Sequence, residues 1–188
     1  KPEGFTQRQV TGWVERYFRA KTKEIPELEN AAIWLQENIP STEYTAFIHN
    51  DFKYDNLVLD PADPCSIRSV LDWEMATIGN PLMDLGTTLA YWAEESDPEI
   101  LKLFNLSHLP GNLSREELMD YYFSKAAGSK EEMIFYYVFG LVKVAVIAQQ
   151  IFKRYSLGHS NDARFAQLIY VVEAAGKKAI QTLQTNQF

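Results

Sequence analysis

Residues 47–60, FIHNDFKYDNLVLD, place a run of polar and ionisable side chains between two apolar ends. A packed core does not select such a run, because burying unpaired polar groups is costly. The residue types allow proton and metal handling at one point. Asp51 can take or orient the proton of a hydroxyl. Asn56, five residues on, offers an amide oxygen suited to a hard cation. Lys53, two after the acid, can offset charge on an anionic group. The plain alternative is a polar turn in which Asp and Asn are turn formers. Three residues alone do not exclude it.

A second cluster narrows the choice. In SVLDWEMATIGNPLMDLG, residues 69–86, Asp72 ends an apolar, strand-like run 21 residues after Asp51. The spacing His49-x-Asp51-x4-Asn56, followed by a carboxylate leaving a strand, is that of the catalytic and metal loops of kinases, so phosphoryl transfer is the expected chemistry. Mg2+ prefers oxygen donors and keeps several waters, so Asn56, Asp72 and nucleotide phosphates make a sufficient set. Glu74 is placed to bind metal through water or to touch substrate. Asp84 has two readings. It is a helix-start acid stabilised by the dipole, or it turns inward to accept from the backbone of the Asp51 loop. The apolar neighbours Leu82, Met83 and Leu85 favour the second.

These loops need strands to space them and helices to support them. Short strands are expected at 45–48, 56–59 and 67–73, with the DPADP turn at 60–64. A strand–loop–strand unit of this size is marginal alone and needs a helical bed. Helices are expected at 6–23, 27–38, 81–95, 97–104, 114–127, 130–154 and 161–184. Trp13, Val14, Tyr17 and Phe18 form the apolar stripe of the first. Capping-box spacing marks Thr6/Gln9, Ser114/Glu117 and Ser129/Glu132, and Asp97 before Pro98 reads as an N-cap. Residues 133–152 are apolar nearly all round, which marks a central helix. The class is therefore α+β and mainly α-helical, a single unit over 1–188 with a small β element carrying the catalytic and metal loops.

Composition sets limits on partners. The chain has 188 residues, 46% hydrophobic, and a net charge of −7. The acidic balance argues against nucleic acid, which needs a basic face. The single cysteine, Cys65, forbids an internal disulfide and suits a reducing, cytoplasmic setting. The stretch from Tyr136 to Ala148 is short for a membrane span and contains Lys143, so a buried helix is expected. His108 and His159 have no partner at metal spacing, so zinc is not expected. Glu94, Glu95, Asp97 and Asp120 read as solvated helix-end charge, with an acidic rim for a cationic substrate as the weaker reading.

IHNDFKYDNLVLD followed by VLDWEMATIGNPLMDLG resembles the aminoglycoside phosphotransferase/choline kinase-like family, in particular the branch related to kinase-like domains fused to some acyl-CoA dehydrogenases. The resemblance runs essentially the whole chain, including KPEGFTQRQVTGW and FYYVFGLVKVAVIAQQI. It implies a kinase-like C-terminal lobe in which Asp51 is the catalytic base, Asn56 and Asp72 bind Mg2+, Asp84 supports the loop and His49 anchors it. Asn50 departs from the family, where many relatives carry Gly. The implied activity is transfer of the ATP γ-phosphate to a hydroxyl of a small molecule, hydroxyacyl, amino-alcohol or aminoglycoside-like. The family also has an N-terminal nucleotide lobe. The nine glycines here are isolated, with no phosphate-covering loop. The chain is therefore expected to be a C-terminal lobe alone, inactive by itself, with an exposed apolar face that favours homodimers. The alternative is a non-catalytic binding or regulatory module built from such a lobe.

Overall fold

The computed structural model describes residues 3–42, 44–103 and 105–188. Helix α1 (Phe5–Ala20) buries Val10, Trp13, Val14 and Tyr17 on one stripe, at the spacing an amphipathic helix requires. Phe18 departs from the expected stripe and is 44% exposed. Thr6 is not the cap. The chain enters α1 through Gly4 in the left-handed region (φ 66°), and the Thr6 hydroxyl instead accepts from Asn80 Nδ2 at 3.2 Å. Helix α2 (Pro26–Glu37) begins with proline at its first position, where no N–H is missed.

Four short strands follow: β1 (Ala46–Ile48), β2 (Leu57–Leu59), β3 (Ile67–Val70) and β4 (Thr77–Gly79). The expected β1–β2 unit does not form. β2 pairs antiparallel with β3, while β1 pairs with β4, a strand the sequence reading left out. Phe47 lies opposite Ile78, and Leu57 opposite Val70. Both segments bearing candidate residues are thus tied at both ends.

The helical bed consists of α3 (Pro81–Tyr91), the short α4 (Glu99–Lys102), α5 (Arg115–Phe123), α6 (Met133–Ser156) and α7 (Leu168–Thr185). Both later capping boxes form, at Ser114/Glu117 before α5 and at Ser129/Glu132 before the turn leading into α6. Asp97 does not cap α4, whose expected end at Phe104 lies outside the described residues. Asp97 is instead buried in an ion cluster with Arg115 and Lys178. Neither solvated charge nor a substrate rim describes it.

Helix α6 is the axis of the core and packs against α1, α2, α3 and α7. By length and composition, 130–156 could cross a membrane, but 78% of its most apolar window is buried inside this fold. Its approach to α3 is tight. A Cβ on Gly140 would stand 2.2 Å from the Gly86 carbonyl oxygen, and one on Gly86 would stand 2.1 Å from that of Tyr136. Only glycine permits this backbone contact, which sets how near α3 lies to the core axis.

Candidate active site

The segment after β1 is held by its backbone. Asp84, in the first turn of α3, spends both carboxylate oxygens on consecutive amides. His49 N–H donates to Oδ2 and Asn50 N–H to Oδ1, each at 2.8 Å. Burial pushes the Asp84 carboxyl above its ordinary range, against the pull of these two bonds and of Lys143. One turn along α3, Thr88 Oγ1 donates to the Phe52 carbonyl at 2.9 Å. Helix α3 thus grips the loop on both sides of Asp51.

The His49 ring ties this loop to the next. Its Nε2 lies 2.7 Å from the Leu71 carbonyl and so carries the proton, which leaves Nδ1 to accept from the Asp51 N–H at 3.2 Å. The ring packs 4.7 Å from that of Trp73. Leu71 is fixed from the other side as well, its N–H donating to the Asn56 carbonyl at 2.7 Å. The residue before Asp72 is therefore pinned between His49 and Asn56. Asp72 then turns sharply, at φ 64° and ψ 49°. A non-glycine residue in this region is disfavoured by roughly 1–2 kcal/mol. It projects Asp72 from the end of the β2–β3 arm.

The side chains divide into anchored and available atoms. Asn56 is buried, and its Nδ2 donates to the Asp51 carbonyl at 2.9 Å. Among the described residues nothing hydrogen-bonds its Oδ1. The Asp51 carboxylate is mostly covered, with Lys53 Nζ at 2.8 Å. Lys53 also lies 5.1 Å over the Tyr91 ring. It folds onto Asp51 rather than reaching outward. Asp72 and Glu74 are exposed, and no described residue pairs with either carboxylate. The structure brings His49, Asp51, Lys53, Asn56 and Asp84 into one bonded cluster. Asp72 joins through Leu71, and Glu74 stands outside.

Three contributors escaped the sequence reading. Lys143 of α6 donates to the Asn50 carbonyl at 2.7 Å and to its side-chain oxygen at 3.1 Å. The signal was present, as a lone cation in an apolar helix. Asn80 caps α3 and reaches Thr6 and the Tyr136 hydroxyl, which fixes α3 at the site. Thr88 gave no signal, since a threonine inside a buried helix is ordinary.

A metal must fit what is left available. Among the described residues no three His, Cys, Asp or Glu side chains gather as a metal site. The unbonded Asn56 oxygen and the unpaired Asp72 carboxylate are hard oxygen donors, the set that Mg2+ takes when phosphates and water complete its shell.

A helical lobe whose strand-borne loops carry His-x-Asp-x4-Asn and a projecting aspartate defines a kinase-like phosphotransferase. Residues 1–118 match the family described as "Phosphotransferase enzyme family". A solved structure from Ralstonia eutropha, named as a candidate aminoglycoside phosphotransferase, superposes with a TM-score of 0.79 and 26% identity, over 96% of this chain and 57% of that one. Mouse acyl-CoA dehydrogenase family member 11 is 32% identical over 84% of this chain and 21% of its own length. Mouse acyl-CoA dehydrogenase family member 10 is 31% identical over 95% of this chain and 17% of its own length. The chain belongs to the phosphotransferase enzyme family. It spans about a fifth of the curated relatives it matches.

Proposed function

We propose that this lobe supports ATP-dependent transfer of the γ-phosphoryl group to a hydroxyl of a small molecule. The observation that carries the reading is the double pinning of Leu71, which ties the Asp51 loop, Asn56 and Asp72 into one rigid unit. Asp51 receives or orients the hydroxyl proton as the acceptor oxygen bonds to the γ-phosphorus. The bond from that phosphorus to the bridging oxygen breaks, and ADP leaves. Lys53 orients the Asp51 carboxylate and faces the incoming phosphate charge. His49 and Asp84 hold the loop, and Glu74 stands where water-mediated metal or substrate contact is open to it. Mg2+, held by Asn56 and Asp72, would neutralise phosphate charge. Rigid positioning of this kind is the main protein contribution in phosphoryl transfer.

The nucleotide lobe expected from the resemblance is assigned to sequence outside these 188 residues. Two observations favour a hydroxyacyl or similar metabolic alcohol as acceptor. A cavity of about 330 Å³ beside the loop is lined mainly by apolar groups, among them Phe47, Phe52, Leu85, Leu118 and Tyr122. The relatives also carry acyl-CoA dehydrogenase names. In the full-length protein, Asp51→Asn is expected to cut turnover by ~10²–10⁴ with the fold unchanged by circular dichroism. Asp72→Ala is expected to abolish Mg-dependent transfer. Near-normal Mg-dependent activity in Asp72→Ala would refute the metal assignment.

A further inference from the structure

We propose that Lys143 is a positioning residue of the catalytic loop, acting through Asn50. Lys143 is 1% exposed and is the only charged residue between 133 and 152. Its ammonium is held between the Trp13 ring of α1, 5.6 Å away, and both oxygens of Asn50. Asn50 is the residue just before Asp51 and stands at φ 70°. Its N–H is taken by Asp84 and its carbonyl by Lys143, so both faces of that left-handed residue are bound.

A purely structural helix would carry a leucine or methionine at 143, since a buried charge costs more than any packing it provides. Here the charge meets specific need. The carboxylates of Asp51 in the loop and of Asp84 on α3 attract it, and the cations facing Lys143 from neighbouring elements are Lys53 and Arg16. Glycine at position 50 would leave the ammonium one acceptor. The asparagine supplies a second while still tolerating the left-handed backbone.

This inference rests on the phosphotransferase reading for its consequence in turnover, but not for its structural content. The test therefore has two arms in the full-length protein. In the first, hydrogen exchange is followed at the amides of residues 49–51. Lys143→Met is expected to speed it at least tenfold there while helices α2 and α7 keep wild-type rates, and Lys143→Arg is expected to restore most of the protection. In the second, Mg-ATP turnover is measured by phosphate release, with water as acceptor. Lys143→Met is expected to lower kcat at least tenfold with KM for ATP within twofold, and Lys143→Arg to recover it. Unchanged exchange at 49–51 overturns the proposal. So does a Lys143→Met enzyme with wild-type kcat. A wild-type protein without ATP turnover instead sinks the phosphotransferase reading and leaves the exchange arm to decide positioning. Should Lys143→Met not fold, Lys143→Gln, uncharged and one atom too short to keep the 2.7 Å contact, takes its place with the same outcomes.

Discussion

Lys143 is also where function and stability pull apart. Burial lowers its pKa from 10.5 to about 8, against the attraction of Asp51 and Asp84. Below pH 8 it is charged in both folded and unfolded chains, and the fold carries the whole cost of burying that charge. Between about 8 and 10.5 the unfolded chain binds the extra proton, so stability rises with pH. At ~1.4 kcal/mol per pKa unit, the gain across that window is on the order of 3 kcal/mol. Urea titrations of wild type and Lys143→Met at pH 7.5 and 10.5 read this directly. Wild type is expected to gain that amount relative to the variant as pH rises, and parallel behaviour would mean that Lys143 is not desolvated. The positive-φ pair Asn50 and Asp72 belongs to the same scale. Each strained residue adjoins or bears a proposed catalytic group. Asn50 is held by the side chains of Asp84 and Lys143, and Asp72 follows Leu71, whose N–H and C=O are both bonded.

Among the elements, the crossing of α3 and α6 decides where the loop sits. Asp84 and Thr88 grip the loop from α3, and Gly86 lies between them against Tyr136 and Gly140. Gly140→Ala puts a methyl group into the Gly86 carbonyl. Overpacking of this kind costs about 1–3 kcal/mol or more, because both neighbours are helix backbone and cannot rotate away. Thermal melting is expected to show the loss, with catalytic turnover falling as α3 is pushed outward. Had the crossing been loose, the variant would instead gain from alanine's helix propensity. The helices themselves were legible from apolar periodicity and from the Ser114 and Ser129 capping boxes, with most ends displaced by a few residues. Helix α7, expected from 161, starts only at Leu168 because Ala163–Gln167 form a tighter 3-10 turn. The strand pairing was not. β4 is three residues long, TIG, and carries no periodicity of its own. It pairs with β1 across thirty residues because the loops between are pinned by His49 and Leu71. Of the site, the residue types at 49, 51, 56, 72 and 84 were readable, since chemistry restricts them. The acceptance by Asp84 from the backbone of the Asp51 loop was readable too, but the rest of the bonding was not, because it runs largely through main-chain atoms that any residue supplies. Lys143 and Thr88 come from helices remote in sequence.

Across the whole molecule, a second buried cluster ties α3, α5 and α7 together. Arg115 of α5 meets Asp97, Glu94 at 3.4 Å and the Leu89 carbonyl, and its guanidinium lies 5.2 Å from the Tyr137 ring. Lys178 of α7 adds an ion pair to Asp97 at 3.0 Å. Burial pushes the Asp97 carboxyl up, but Arg115 holds it below the ordinary range overall. Removing one partner of such a cluster strands the others, at about 3–5 kcal/mol. Asp97→Ala is therefore expected to lower the denaturation midpoint strongly at neutral pH. The strand-bearing side is more open. Phe47, Trp73 and Ile78 are all about half exposed, and Phe47 stacks on Trp73 at 5.7 Å.

The bonds at Leu71 carry one more implication. They use only its N–H and C=O, while its side chain is 49% exposed. The distance between the two candidate loops is thereby encoded without reference to amino-acid identity at that position. Nineteen residue types preserve it, and proline, which lacks the N–H, does not. Position 71 is thus a free letter in an otherwise restricted text, open to drift or to a designer's library, with one forbidden spelling.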